Sequence, residues 1–196
     1  MKVCKFERMN NEDEVKQVIG CIQKEHPYVA VIPVLTQLQE WLQAISVSWF
    51  HEEDETSHTI VNAIEEYCRT LTDRLISDRK LNQDMKVQID KCIEKIQVLV
   101  EDKADLLTDK IIKAEVYGLS NELFACCLRQ QGLRAQTLDT GKFMQINLER
   151  KPDIPYIKES VQQYISEKRD ADIFIAPLSL CKNVYGETDF MNEKRN

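Results

Sequence analysis

The sequence predicts an α/β fold, a three-layer αβα sandwich built on a mostly parallel sheet. Three observations lead there. Two apolar runs, Tyr28-Val-Ala-Val-Ile-Pro-Val34 and Ala171-Asp-Ile-Phe-Ile-Ala-Pro177, have strand length and little polar alternation, the pattern of parallel strands buried on both faces. Segments with apolar residues at helical spacing separate such runs. A length of 196 residues with 43% hydrophobic content suits one domain with a single core, 1–196, or one domain with a helical extension.

Val3, Cys4 and Phe6 read as a short buried strand with Lys5 near its carboxyl end, where open α/β sheets place their ligands. Asn10 and Asn11 are candidate N-caps for a helix whose first turn is the acidic Glu12-Asp13-Glu14. Val15, Val18, Ile19 and Ile22 continue that helix to His26-Pro27, and with the run 28–34 it forms a βαβ unit. Leu38, Trp41, Leu42, Ile45 and Trp49 mark the next helix. An acidic break over 50–58, Glu52-Glu53-Asp54-Glu55, closes with Ser57 as the cap of a further helix.

From His58 to Val100 the pattern is helical almost throughout. One stripe holds Ile60, Ile64, Tyr67 and Leu71, and another Ile89, Ile93, Ile96 and Val100. Polar residues from Asp78 to Asp84 are expected to turn the chain, so that a helical hairpin projects over 58–100. Asp105 to Gly132 reads as one long helix or two abutting ones, closed by the glycine. A strand at 134–138 then ends at Asp139, and a helix over 156–168 leads into the final strand. Strands are thus expected near 2–6, 28–34, 134–138 and 171–176.

Composition removes several function classes. The net charge of −7 and the absence of a basic stripe argue against a nucleic-acid partner, and Lys194-Arg195 reads as a solvated tail. Seven scattered cysteines contain no C-x-x-C pair, and Cys126-Cys127 reads as core packing. No signal-like opening occurs, and no apolar run approaches the roughly 18 residues of a bilayer span, so no membrane contact and a reducing cytoplasm are expected. Five glycines build neither G-x-G-x-x-G nor G-x-x-x-x-G-K-[ST]. His51 and His58, seven positions apart, fit neither an H-x-x-x-H face nor a common zinc spacing, and no metal site is expected. No G-x-S-x-G elbow is present, and a Ser/His or Cys/His pair has no support beyond composition.

The opening Met1-Lys-Val-Cys-Lys-Phe-Glu-Arg-Met-Asn10 resembles the first strand of the aspartokinases, of the amino-acid kinase superfamily, which reads M-K-V-x-K-F-G-G-T-S. In that family the lysine and the glycine-rich turn hold the phosphates of ATP. Lys5 and Phe6 match, but Glu7 and Arg8 replace the glycines, and Met9 and Asn10 the Thr-Ser. Glycine lets backbone N–H groups approach a phosphate, whereas a glutamate there repels it. Asp109-Lys-Ile-Ile-Lys-Ala-Glu-Val-Tyr-Gly-Leu-Ser-Asn-Glu-Leu-Phe-Ala125 resembles the family's D-x-I-L-S-F-G-E-x-L-S-x-x-L-x-A, whose glutamate contacts the amino group of aspartate. Ser120 falls on the serine, Tyr117 on the glutamate, and Glu115 two residues too early, about 200° round a helix. Gln131-Gly-Leu-Arg-Ala-Gln-Thr-Leu-Asp139 is similar to R-G-x-x-A-x-x-L-D, and Gly186-Glu-Thr188 to the start of G-x-T-T-T-L-G-R-G-G-S-D. The helical hairpin resembles the one inserted beside the amino-acid site.

The resemblance covers the amino-terminal half of a family catalytic domain, without the nucleotide-binding half. It implies Lys5 as the phosphate lysine and Ser120, Tyr117 and Asp139 as substrate-side positions. The leading expectation is a degenerate aspartokinase-like domain without kinase activity or cofactor, binding a small amino-acid metabolite, a partner protein or a second copy of the chain. One alternative is an active phosphotransferase, using ATP and Mg and making 4-phospho-L-aspartate with another chain supplying the ATP site. The other is a helical interaction module.

Overall fold

The computed structural model describes residues 2–166 and 170–191. The expected end of the last helix at 167–168 and the Lys194-Arg195 tail lie outside the described residues. Strands β1 (Val3–Lys5), β2 (Val29–Ile32), β3 (Ala135–Thr137) and β4 (Ile173–Pro177) form a wholly parallel sheet in the order β1-β2-β4-β3. Helices α1 (Glu12–Glu25), α2 (Thr36–Phe50), α3 (Asp54–Leu75), α4 (Arg79–Glu101) and α5 (Leu106–Arg129) precede β3, and α6 (Ile154–Ser166) precedes β4.

Alternation along the strands creates the three layers. Ala30, Ile32, Ile173 and Ile175 point into a large core shared with α1 to α5, while Val29, Phe174 and Ala176 point the other way. That second face is covered by Phe143 and by Tyr164, Val161 and Ile165 of α6. Tyr28 meets Phe174 edge-on at 5.3 Å, and Phe143 meets Tyr164 at the same separation. The fold is the expected sandwich.

Local chemistry sets the helix ends. Asn11 caps α1 by accepting the Glu14 N–H, Asp78 caps α4 at Leu81, and Asp105 caps α5 at Leu107 and Thr108. Gly132, at φ 84°, closes α5. Its N–H donates to the Arg129 carbonyl, and that of Leu133 donates to Leu128. Asp109, almost buried near the start of α5, accepts hydrogen bonds from Ser46 of α2 and Lys113.

Four expectations are corrected. The first strand was expected to be buried, but β1 is an edge strand with Val3 51% exposed, because β2 pairs on one side only. Ser57 does not cap α3: the helix begins at Asp54, and Ser57 is buried with its hydroxyl 2.8 Å from that of Ser48. The turn between the hairpin helices is confined to 76–78, since Asp78 caps α4 and residues 79–84 are already helical. The hairpin does not project free of the domain either. α3 packs on α2 and α4 on α5, and Val61, Ile64, Met85 and Ile89 belong to the same core as the sheet.

An antiparallel ribbon, β5 (Leu180–Lys182) with β6 (Thr188–Phe190), was not foreseen, because each arm is only a three-residue strand. It is tied to α5 through Asp189, 2% exposed, which pairs with Arg150 at 3.0 Å and Lys110 at 3.1 Å. Burial alone would raise the Asp189 pKa, but hydrogen bonds from Arg150, the Phe190 N–H and Lys110 outweigh it and hold the carboxyl below its ordinary range. No helix among the described residues is long and apolar enough to cross a membrane.

Candidate functional site

A cleft of about 920 Å³ opens at the carboxyl ends of β3 and β4, where Leu138 and Asp139 leave one strand and Pro177 ends the other. This is the end of a parallel sheet where ligands bind. One wall is the pair α4 and α5. Gln88, Lys91, Cys92 and Lys95 recur along one face of α4, and Glu115, Gly118, Leu119, Asn121 and Glu122 line α5. Opposite stand Asp139, Gly141, Lys142 and Tyr164, with Lys182 and Thr188 of the ribbon closing one side.

Charge of both signs lines this space, through four lysines (Lys91, Lys95, Lys142 and Lys182) and three carboxylates (Glu115, Glu122 and Asp139). Most are committed. Lys95 pairs with Glu115. Glu122 takes a charge-assisted hydrogen bond from Arg129 and a weaker one from the Thr137 hydroxyl at 3.3 Å, while Arg129 also donates to the Ala135 carbonyl. Lys182 lies 2.7 Å from the Tyr156 hydroxyl; that hydrogen bond and one from Ser160 hold the phenol below its ordinary pKa. Asp139 is exposed, and its nearest cation is Lys142 at 3.9 Å. Lys91 has no carboxylate within 4 Å among the described residues. Burial pushes the thiols of Cys92 and Cys181, both on the cleft lining, up to about 12.

Of the residues singled out from sequence, the cleft brings in Asp139. Lys5 ends β1 with its side chain 56% exposed and Glu7 at 3.6 Å. β2 separates it from β4, roughly 10 Å across two strand spacings, and it does not line the cleft. Tyr117 faces the ribbon, its ring edge-on to Phe190 at 5.2 Å. Ser120 is buried beside the cleft wall, and its hydroxyl has no hydrogen-bond partner. The helical turn of about 100° per residue carries Glu115, Gly118, Leu119 and Glu122 to the cleft in their place. Glu115, two positions early in the aligned motif, is therefore a wall residue. Lys91, Lys95, Asn121 and Glu122 were missed: the polar spacing 88, 91, 95 is visible in the sequence, but it equally describes a solvated face.

The turn after β1 does not fit a polyphosphate. Glu7 is exposed and faces Lys5, so a carboxylate sits where anion oxygens would need donors. Met9 is fully buried in the core, and its carbonyl accepts from the Thr36 N–H and hydroxyl. The segment is packed down by a side chain rather than opened by glycines. Among the described residues no group of three or more His, Cys, Asp or Glu side chains is placed to hold a metal ion.

No protein-family model and no curated protein matches the chain. Solved structures do. Aspartokinase III of E. coli in complex with aspartate and ADP, in the R-state, matches with a TM-score of 0.79 at 18% identity, covering 97% of this chain and 43% of that one. The same enzyme with lysine and aspartate, in the T-state, gives 0.80 at 18% identity over the same shares. The aspartate kinase of Clostridium acetobutylicum gives 0.70 at 11% identity, covering 97% of this chain and 42% of that one. The chain thus spans well under half the length of these structures, and over that span it has the aspartokinase fold.

Proposed function

We propose that this chain is an aspartokinase-like scaffold that binds a small amino-acid metabolite in the cleft at the ends of β3 and β4 and does not itself transfer phosphate. The observation that carries the reading is the lining of that cleft with charges of both signs at the ligand end of a parallel sheet. A zwitterion needs such a lining: a carboxylate for its ammonium group and cations for its carboxylates. Asp139, only loosely engaged by Lys142, is the carboxylate suited to an ammonium. Aspartate is bound in two of the similar structures, which supports an amino acid as the ligand class. Against phosphoryl transfer stand Glu7 and the buried Met9 in the turn that the resemblance assigns to phosphate, since that chemistry depends on neutralising phosphate charge.

Isothermal titration with L-aspartate, L-glutamate and Mg-ATP tests the reading. Saturable binding of an amino acid is expected, with ATP weaker than about millimolar, because like charge at the turn subtracts from affinity. A micromolar ATP constant, or no heat with any amino acid, would overturn it.

A further inference from the structure

Two exposed apolar side chains stand at the end of α2 and another at the start of α5: Val47 is 55% exposed, Phe50 45% and Leu106 71%. They come together through the way the two helices are joined. The Ser46 hydroxyl donates to Asp109, and the Trp49 indole N–H donates to the Asp102 carbonyl at 3.1 Å. α2 and α5 therefore run antiparallel, with the end of one beside the start of the other. Measured round each helix from the Ser46–Asp109 contact, Phe50 lies about 40° and Val47 about 100° to one side of α2, and Leu106 about 60° round α5 to the same side. Along the axis Phe50 is about 6 Å beyond that contact and Leu106 about 4.5 Å, so the two stand nearly level. The three side chains flank a shallow apolar groove between two helices. Carboxylates border it. Glu52 and Glu53 follow Phe50 and Glu101 and Asp102 precede Leu106; all four are exposed, and none pairs with a cation among the described residues. Lys103 is the one base over 101–106.

We infer that this groove docks a basic amphipathic helix of a partner protein, whose apolar face covers Val47, Phe50 and Leu106 while its lysines or arginines meet the four carboxylates. Grouped apolar side chains inside a polar rim mark an interaction surface. The charge selects the occupant. A second copy of the chain, itself at −7, would set acid against acid, and an anionic lipid surface would be repelled. The backbone selects its form. An extended segment needs a sheet edge with unpaired N–H and C=O groups, which two helices do not present, whereas a helix seats its side chains between the ridges of two others. None of these residues lines the cleft, so the groove is separate from the site proposed above.

Fluorescence anisotropy on the full chain tests this, with a labelled helical peptide that carries leucine on one face and lysine on the other. The dissociation constant should be about 100 μM or tighter, and a counterpart with glutamate for lysine should bind at least about tenfold more weakly. Leu106→Ser, at a site 71% exposed, should keep the melting temperature and weaken the lysine peptide about tenfold. Leu148→Ser, 77% exposed elsewhere, should leave affinity within about twofold. Glu52→Gln with Glu53→Gln should weaken binding about threefold and flatten its dependence on salt. A constant weaker than about millimolar overturns the site, as does equal binding of the glutamate peptide. An equal loss in Leu106→Ser and Leu148→Ser, or none in Leu106→Ser, overturns it too, since general attraction to an acidic chain would then explain the binding. Two further results would assign the groove to another occupant and so overturn the partner helix. One is a dimer in sedimentation that Leu106→Ser dissolves, and the other is binding to phosphatidylserine vesicles that the same change abolishes.

Discussion

Burial separates the seven cysteines into two chemical groups. Cys68, Cys92, Cys127 and Cys181 have their thiols pushed up to about 12 and Cys126 to about 11, in each case chiefly because a thiolate loses solvation in the interior. At neutral pH these five carry almost no thiolate, the reactive form. Cys21 is exposed on α1 and Cys4 half-buried on the edge strand. A thiol reagent at pH 7.5 should therefore modify Cys21, then Cys4, within minutes, and the other five only after denaturant is added. Rapid labelling of Cys92 or Cys181, read by peptide mass, would mean that the cleft opens further than its walls imply. The expectation that Cys126-Cys127 is packing rests on the apolar character of the helix side that carries them, and both residues are buried. Met9 shows the opposite case. In sequence it marks a lost motif residue, and nothing local says that its side chain fills the core; only the loop path, held by Thr36, puts it there.

Gly118 sits midway along α5, where glycine is a poor helix former, and a Cβ there would touch nothing. Gly118→Ala should stabilise the chain by about 0.5–1 kcal/mol, raising the melting temperature by about 1–4 °C. Gly118→Leu should instead project into the cleft and displace a ligand from it. A loss of stability in the alanine variant would show that the helix there is closed against a neighbour. The two strands β3 and β4 are clamped at their starts by Arg134 and Asp172, which share a bidentate pair; the Arg134 N–H also donates to the Asp172 carboxylate, and the Asp172 N–H to the Arg134 carbonyl. The Arg134 side chain, then its backbone N–H, hold the Asp172 carboxyl at about 2, against an ordinary 3.8. A carboxyl with a depressed folded pKa stabilises fully above its unfolded value and loses that contribution as pH falls through the folded one. Asp172→Asn should therefore melt lower than the parent above about pH 4, with the gap closing towards pH 2 and shrinking in high salt, because both side chains face solvent. Element type was readable wherever burial imposes a period. The runs around β2 and β4 are apolar without interruption, and α1 announces itself by Asn11 and three acids. The ribbon β5–β6 was not readable, because its strands pair over three residues each and are fixed by Asp189 with Arg150 and Lys110 from elsewhere in the chain.

The cleft is a tertiary object, assembled from α4, α5, the ends of β3 and β4, and the ribbon, and no segment of sequence contains it. Asp139 was singled out through the resemblance of 131–139 to a family motif, and it lines the cleft because it follows the end of β3. Lys91 and Asn121 were not, because the register of α4 on α5 is set by packing between residues some 20–30 positions apart, and a helix alone does not say which neighbour its polar face meets. The same packing decides how the molecule unfolds. Two apolar stripes in a long helical hairpin suggest a unit able to stand apart, yet Ile64 of α3 and Ile89 of α4 are fully buried in one core with Ile32 and Ile175 of the sheet. Hairpin and sheet therefore share their stability, and loss of a hairpin side chain should be felt by both. Ile89→Ala should cost about 2–5 kcal/mol, the transfer of the lost methyl groups plus the cavity left between α4 and its neighbours. The informative measurement is whether one transition or two appear in urea, followed by far-ultraviolet circular dichroism for the helices and by tryptophan emission from Trp41 and Trp49 on α2. A shared core requires the two probes to move together to a lower midpoint in the mutant, with the slope unchanged. If the circular dichroism signal shifted while the tryptophan transition stayed where it was, the hairpin would be a separate folding unit, and the wall it gives the cleft would open without loss of the sheet.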